Sequence, residues 1–219
     1  MKKVLITGIT GMVGSHLLDY LILKTNFHIT GLVRWRSSLD NIQKHIENIN
    51  SCDSRVNLFY GDLNDKISIN DLIRITKPDY IFHLAAQSYP TFSFQAPNIT
   101  YETNIIGTSN LCDSILKYSS DSIVHICSSS EVYGKVDKEK LPIDENCSFH
   151  PASPYAISKV GTDLIAQHYA EAYNLNIQIT RMFTHTGPRR GDVFAESSFA
   201  KQIAMIENGF INPTVKVGN

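Results

Sequence analysis

The chain is poor in the features that mark specialised classes of protein. Neither sign of charge is in excess: 20 Lys and Arg face 21 Asp and Glu, a net charge of −1. No global basic field therefore directs the protein to nucleic acid or to a membrane surface. Cysteine is scarce and scattered. Cys52, Cys112, Cys127 and Cys147 form no CxxC pair, which argues against a disulfide framework or a zinc site and for reduced thiols in a cytoplasmic protein. No metal is expected. No apolar run approaches the ~18 residues of a membrane span. Residues 1–6 superficially resemble a signal peptide, but the apolar run breaks at Thr7-Gly8, too early for its apolar core. Internal repeats and low-complexity segments are also missing. Asn98-Ile99-Thr100 and Asn146-Cys147-Ser148 match the glycosylation sequon, which has meaning only in a secreted protein.

What is present is an ordinary globular composition: 219 residues, 42% hydrophobic and 19% charged. That suffices for one large domain, or one domain and part of a second. Short apolar or β-branched runs at residues 4–7, 28–33, 56–60, 80–84, 123–127 and 177–180 read as strands. Between them, Val13, Leu17, Leu21 and Ile22 recur at helical spacing, as do Ile157, Leu164, Ile165 and His168. Residues 104–117 also read as a helix. Strands alternating with helices predict a doubly wound α/β fold around a parallel sheet. Residues 87–99, with Pro90 and Pro97, and residues 134–154, with Pro142, Pro151 and Pro154, read as two long loops. They follow the fourth and fifth strands, where ligands of open α/β sheets sit.

The first βα junction reads Thr7-Gly8-Ile9-Thr10-Gly11-Met12-Val13-Gly14. Gly8 suits a tight turn, Gly11 lets backbone amides approach a pyrophosphate, and Gly14 allows close helix–strand packing. A ribose-binding Asp or Glu is expected after the second strand of an NAD protein. Instead the chain has Arg34, Arg36, Ser37 and Ser38 there, which suit a 2′-phosphate and favour NADP; a solvated basic turn is the competing reading. Asp62 after the third strand suits an adenine amino group, with Leu63 packing on the ring, although Asp after Gly is common in turns. The small residues of Leu84-Ala85-Ala86-Gln87-Ser88 either admit a dinucleotide or serve helix packing. Tyr155 and Lys159 stand four apart at a helix start and share a face. An ammonium beside a phenol favours phenolate and makes Tyr155 a usable base. Ser129 closes the fifth strand and suits the hydroxyl being oxidised. His83 and His125 lie within strands and read as sheet residues.

These motifs, taken in order, resemble the extended short-chain dehydrogenase/reductase superfamily of nucleotide-sugar epimerases and dehydratases. Gly61-Asp62-Leu63-Asn64-Asp65, Asn104 with Gly107-Thr108, and Ser128 to Gly134 add to the match. Three segments resemble its GDP-mannose 4,6-dehydratase branch most: Ile6 to Gly11, Leu84 to Ser88, and Pro188-Arg189-Arg190-Gly191. The resemblance implies a Rossmann-type sheet with an NADP domain over 1–180 and the beginning of a substrate-binding lobe over 181–219. It implies Ser129, Tyr155 and Lys159 as the catalytic triad and Glu131 as the acid/base group of elimination, a surface charge being the alternative. It implies cofactor contacts from Gly8, Thr10, Gly11, Met12, Val13, Gly14, Arg34, Arg36, Ser37, Asp62, Leu63, Leu84, Ala85, Ala86, Gln87, Tyr155, Lys159, His185 and Arg190, and substrate contacts from Ser88, Ser130, Glu131 and Thr184.

The implied reaction is internal redox on a GDP-hexose, with NADP regenerated in each cycle and a 4-keto-6-deoxy sugar as product. The implied assembly is a homodimer or homotetramer through helices near 104–117 and 155–172. Departures from the pattern keep other readings open. Thr184 stands where the family has Asn, and Thr186-Gly187 resembles the related 4-keto-6-deoxy-mannose reductases. A 4-reductase, a 4-epimerase and a non-catalytic dinucleotide-binding module are the alternatives. The family continues beyond Val215-Lys216-Val217-Gly218-Asn219, so a chain ending there is expected to bind NADP better than it turns over sugar.

Overall fold

A computed structural model describes residues 1–49 and 54–217; Cys52 and the terminal Gly218-Asn219 lie outside the described residues. Six strands form one parallel sheet: β1 Lys3–Thr7, β2 His28–Val33, β3 Val56–Tyr60, β4 Tyr80–His83, β5 Ile123–Cys127 and β6 Ile177–Thr180. Their order is β3-β2-β1-β4-β5-β6. Among the described residues every strand pairing is parallel, for example Thr7 beside Leu32 on one side and His83 on the other. The order reverses between β1 and β4, so the crevice beyond their carboxyl ends is the topological switch point. This is the expected Rossmann-type architecture, and five of the six strands carry the expected carboxyl-terminal limit.

The helices are α1 Met12–Lys24, α2 Lys66–Thr76, α3 Pro90–Gln95, α4 Pro97–Tyr101, α5 Gly107–Tyr118, α6 Pro154–Tyr173 and α7 Ala195–Glu207. They cover both faces of the sheet over two apolar clusters. One gathers Leu5, Leu72, Ile81, Leu111, Ile115 and Ile126; the other gathers Ile6, Ile9, Leu18, Ile29 and Ile42. Apolar strand residues with two buried faces are what an all-parallel sheet requires.

Two local readings change, and one feature is new. Residues 87–99 are not a loop: they hold α3 and α4, each with its proline in the first turn, where the missing N–H costs nothing. The helix around 104–117 begins with a π turn over Glu102–Ile106 before α5. Finally, α6 turns Ser158, Lys159, Thr162 and Asp163 inward, while Ile157 and Leu164 are about half exposed. Hydropathy alone points to the opposite face. Inward hydroxyls and charges are tolerated here because each meets a partner, as described below.

By internal contacts the chain divides into two compact units, Met1–Phe183 and Thr184–Asn219. The second contains α7 and has its own polar links, among them Lys201 to Asp192 and Gln202 to the Lys216 backbone.

Candidate active site

The glycine turn has the shape its sequence suggests. Gly8 has φ +75°, and a Cβ there would lie 2.8 Å from the Ala85 backbone nitrogen. A Cβ on Gly14 would lie 2.2 Å from the Gly8 carbonyl oxygen. Helix α1 thus starts directly against the turn. Its N-cap is Gly11, with no side-chain cap and no acidic residue in the first turn. The amides of Met12 and Val13 open a helix whose positive end carries no counter-charge of its own, which is the chemistry a pyrophosphate needs. Thr10 is fixed by Asn41, whose side-chain amide donates to the Thr10 carbonyl at 2.9 Å.

Across the switch point, β1 and β4 are clasped by a buried polar chain. The Ala85 amide donates to Thr7 Oγ1 at 3.2 Å, and Thr7 Oγ1 lies 2.8 Å from His83 Nδ1. His83 Nε2 lies 3.0 Å from Thr108 Oγ1, which donates to the Asn104 carbonyl at 2.6 Å. With Thr108 already donating, His83 must carry its proton on Nε2 and accept from Thr7 on Nδ1. Burial, with the Lys159 charge nearby, pushes His83 down to about 3, so the ring stays neutral. Asn104 continues the chain: it exchanges hydrogen bonds with the Gln87 backbone at 2.8 and 3.0 Å and donates to Ser158 Oγ at 2.8 Å. Leu84, Ala85, Ala86 and Gln87 are half-buried along this edge, and Ser88 is exposed.

Helix α6 delivers Tyr155 and Lys159 from its first turns. Pro154 needs no partner, the Tyr155 amide donates to Ser93 Oγ at 3.1 Å, and the Ala156 amide donates to Ser153 Oγ at 3.0 Å. The capping of this helix is therefore partly tertiary. Lys159 is buried and donates from Nζ to the Cys127 carbonyl at the end of β5, at 2.7 Å. Burial holds its ammonium below the usual lysine range. Next in the chain, Ser129 is buried and accepts the Glu131 amide at 3.2 Å, which starts a 3-10 turn over Ser130–Tyr133. Glu131 is exposed, Ser130 half-buried, and the turn packs against α6.

Other expected residues fall as follows. Arg34 and Arg36 are exposed in the turn after β2, closed by the Ser37 amide donating to the Arg34 carbonyl at 2.9 Å. Arg36 stacks on Trp35 with 5.4 Å to the ring centre. Asp62 caps the following turn by accepting the Asn64 amide at 3.0 Å. Leu63 is buried at the edge of the core, where Gly107 leaves it room. Thr184, His185 and Arg190 belong to the second unit, where Thr184 and His185 are exposed and Arg190 lies 4.1 Å over the Phe194 ring.

Four positions join the site that sequence reasoning did not select: Thr7, Ser93, Asp163 and Arg181. Ser93 could have been found from Pro90 three residues before it, a helix-start signal. Asp163 and Arg181 carried no local signal, since their pairing spans α6 and β6.

A parallel sheet of this order, a glycine turn after β1, a Ser following β5 and a Tyr and Lys on the first turns of α6 define a Rossmann-type protein of the extended short-chain dehydrogenase/reductase kind. The comparisons narrow the class. Residues 5–219 match the family model described as GDP-mannose 4,6 dehydratase. A GDP-mannose 4,6-dehydratase of Vibrio cholerae serotype O1 is 35% identical over 218 residues, covering 95% of this chain and 56% of the relative. The chain thus spans little more than half the length of that relative. Among solved structures, DesIV, the dTDP-glucose 4,6-dehydratase of Streptomyces venezuelae, was solved with NAD bound. It superposes with a TM-score of 0.81 at 27% identity, over 94% of this chain and 62% of its own. RMD from Pseudomonas aeruginosa, complexed with NADPH, gives 0.76 at 28% identity, over 97% of this chain and 64% of its own. The chain belongs to the GDP-mannose 4,6-dehydratase family. Among the described residues no helix is long and apolar enough to cross a membrane.

Proposed function

We propose that the chain is the cofactor-binding and proton-transfer part of an NADP-dependent nucleotide-sugar 4,6-dehydratase, a hydro-lyase acting on a GDP-hexose such as GDP-mannose. The observation that carries this reading is Glu131 beside Ser129 on a turn packed against the helix of Tyr155 and Lys159, in a chain of this family. Oxidation and re-reduction need only the triad; elimination needs a further acid/base group.

Tyr155 accepts the proton of the C4 hydroxyl while Ser129 hydrogen-bonds its oxygen. The desolvated Lys159 ammonium favours the phenolate form of Tyr155. When bound, the nicotinamide supplies the uptake of hydride at C4 and its return at C6. The 4-ketone acidifies C5; Glu131 removes that proton and passes it to the C6 hydroxyl, which departs as water, and Tyr155 returns to C5 the proton it took from the C4 hydroxyl, which leaves the 4-keto-6-deoxy sugar. NADP is favoured over NAD because Arg34, Arg36 and Ser37 offer guanidinium and hydroxyl donors. The glycine turn, Asp62, Leu63 and residues 84–87 complete the cofactor side. Ser88, Ser130 and Thr184 are assigned to the sugar, and His185 and Arg190 to the cofactor. In this reading residues 1–180 form the cofactor domain and 181–219 begin the substrate lobe.

Ile106 in the π turn before α5, with Ile157 and Leu164 on α6, is exposed on elements that pack together, which supports a homodimer or homotetramer through the helices near 104–117 and 155–172. Scattered cysteines with no metal-type pairing support a cytoplasmic protein.

Glu131→Gln tests the assignment. The variant is expected to lose elimination while retaining cofactor affinity and oxidation at C4. A second reading, a 4-reductase, rests on Thr184 and Thr186-Gly187; it is supported instead if Glu131→Gln leaves turnover of a 4-keto sugar unchanged.

A further inference from the structure

We propose that Arg181 is a positioning residue for the Glu131 carboxylate, clasping the Ser130–Tyr133 turn and the 134–154 segment onto α6. The proposal rests on the reading of Glu131 as the C5 base. Arg181 follows β6 and forks onto Asp163 of α6 through Nε at 2.9 Å and Nη2 at 3.1 Å. Asp163 is fully buried. The remaining nitrogen, Nη1, donates to the Tyr133 hydroxyl at 3.0 Å and to the Glu145 carbonyl at 2.8 Å. The guanidinium also lies over the rings of Tyr133, at 5.4 Å, and Phe149, at 4.7 Å.

One planar group thus fixes three segments: the helix that bears Tyr155, the turn that bears Glu131, and the long segment between them. The backbone follows the same plan. The Ser130 amide donates to the Met182 carbonyl at 2.9 Å, and the His150 amide donates to the Val132 carbonyl at 2.9 Å. A buried ion pair is a poor source of stability, since apolar residues of similar volume often serve as well or better. Here its distinguishing property is direction. A lysine would keep the charge but could not supply the fork and the third contact together. Glu131 itself is exposed, so its distance from the Tyr155 helix depends on how its turn is held.

The test compares Arg181→Lys and Tyr133→Phe with the wild-type chain. Tyr133→Phe removes one hydroxyl and leaves the buried ion pair intact, so it keeps the test valid if Arg181→Lys fails to fold. With NADP and GDP-mannose in heavy water, Tyr133→Phe is expected to lower the elimination rate about tenfold, with the KM for sugar little changed. Oxidation at C4 should continue, so the absorbance of reduced nicotinamide should build up. Independently of activity, trypsin is expected to cut Arg181→Lys faster than wild type after Lys135, Lys138 and Lys140, which lie in the clasped segment. Equal losses of oxidation and elimination, unchanged turnover, or an unchanged trypsin pattern would each overturn the clasp. A wild-type chain inactive on every nucleotide hexose overturns the functional reading instead, and the trypsin comparison then decides the clasp alone.

Discussion

His83 is held between two hydroxyls that leave it a single tautomer, and this sets a pH dependence for the protein. Its folded value of about 3 lies below the ordinary 6.5, so the unfolded chain binds a proton that the native chain does not. Stability therefore rises with pH across that window and falls as pH drops below 6.5, by up to roughly 1.4 kcal/mol per pH unit. Thermal melts between pH 7 and pH 4.5 should show a steeper acid loss in wild type than in His83→Gln, which can also donate and accept. Parallel acid limbs would show that the ring is not the titrating group. At this scale the sequence displays what is local. Tyr155 and Lys159 are legible from four-residue spacing, and Glu131 from its place beside Ser129. The partners of His83 are not legible, because Thr7 and Thr108 lie 76 and 25 residues away in the chain.

The start of α1 opposes two effects of known size. Replacing a helical glycine by alanine ordinarily gains up to ~1 kcal/mol. At Gly14 the added methyl would sit 2.2 Å from the Gly8 carbonyl oxygen, and such overpacking costs about 1–3 kcal/mol or more. Gly14→Ala is therefore expected to lower the melting temperature and to weaken NADP binding by about tenfold or more, read by calorimetry and fluorescence titration. A variant as stable as wild type with unchanged affinity would mean that the turn relaxes freely. The third glycine was readable from its spacing because its role is steric and local. Helices α3 and α4 were not readable: two prolines and several aromatics in a short span look like a loop until the first-turn position of each proline is recognised. The inward face of α6 was not readable for a different reason. Its polar groups are satisfied by Asn104 and Arg181, from elements distant in sequence, and no hydropathy pattern contains that information.

Across the whole molecule, the alternation of strands and helices specified the sheet, and the crevice between β1 and β4 followed from its order. The division at Phe183 and Thr184 left no comparable trace in composition. The proposed dehydration is tested most directly by turnover in heavy water by the chain loaded with NADP or NAD. Mass spectrometry of the sugar nucleotide and absorbance of the cofactor are followed together. The expected result with GDP-mannose is a product that has lost one water and gained solvent deuterium, with no net consumption of NADPH and with NADP preferred. Stoichiometric oxidation of NADPH, or cofactor binding with every GDP-, dTDP-, UDP- and CDP-hexose left unchanged, would contradict it.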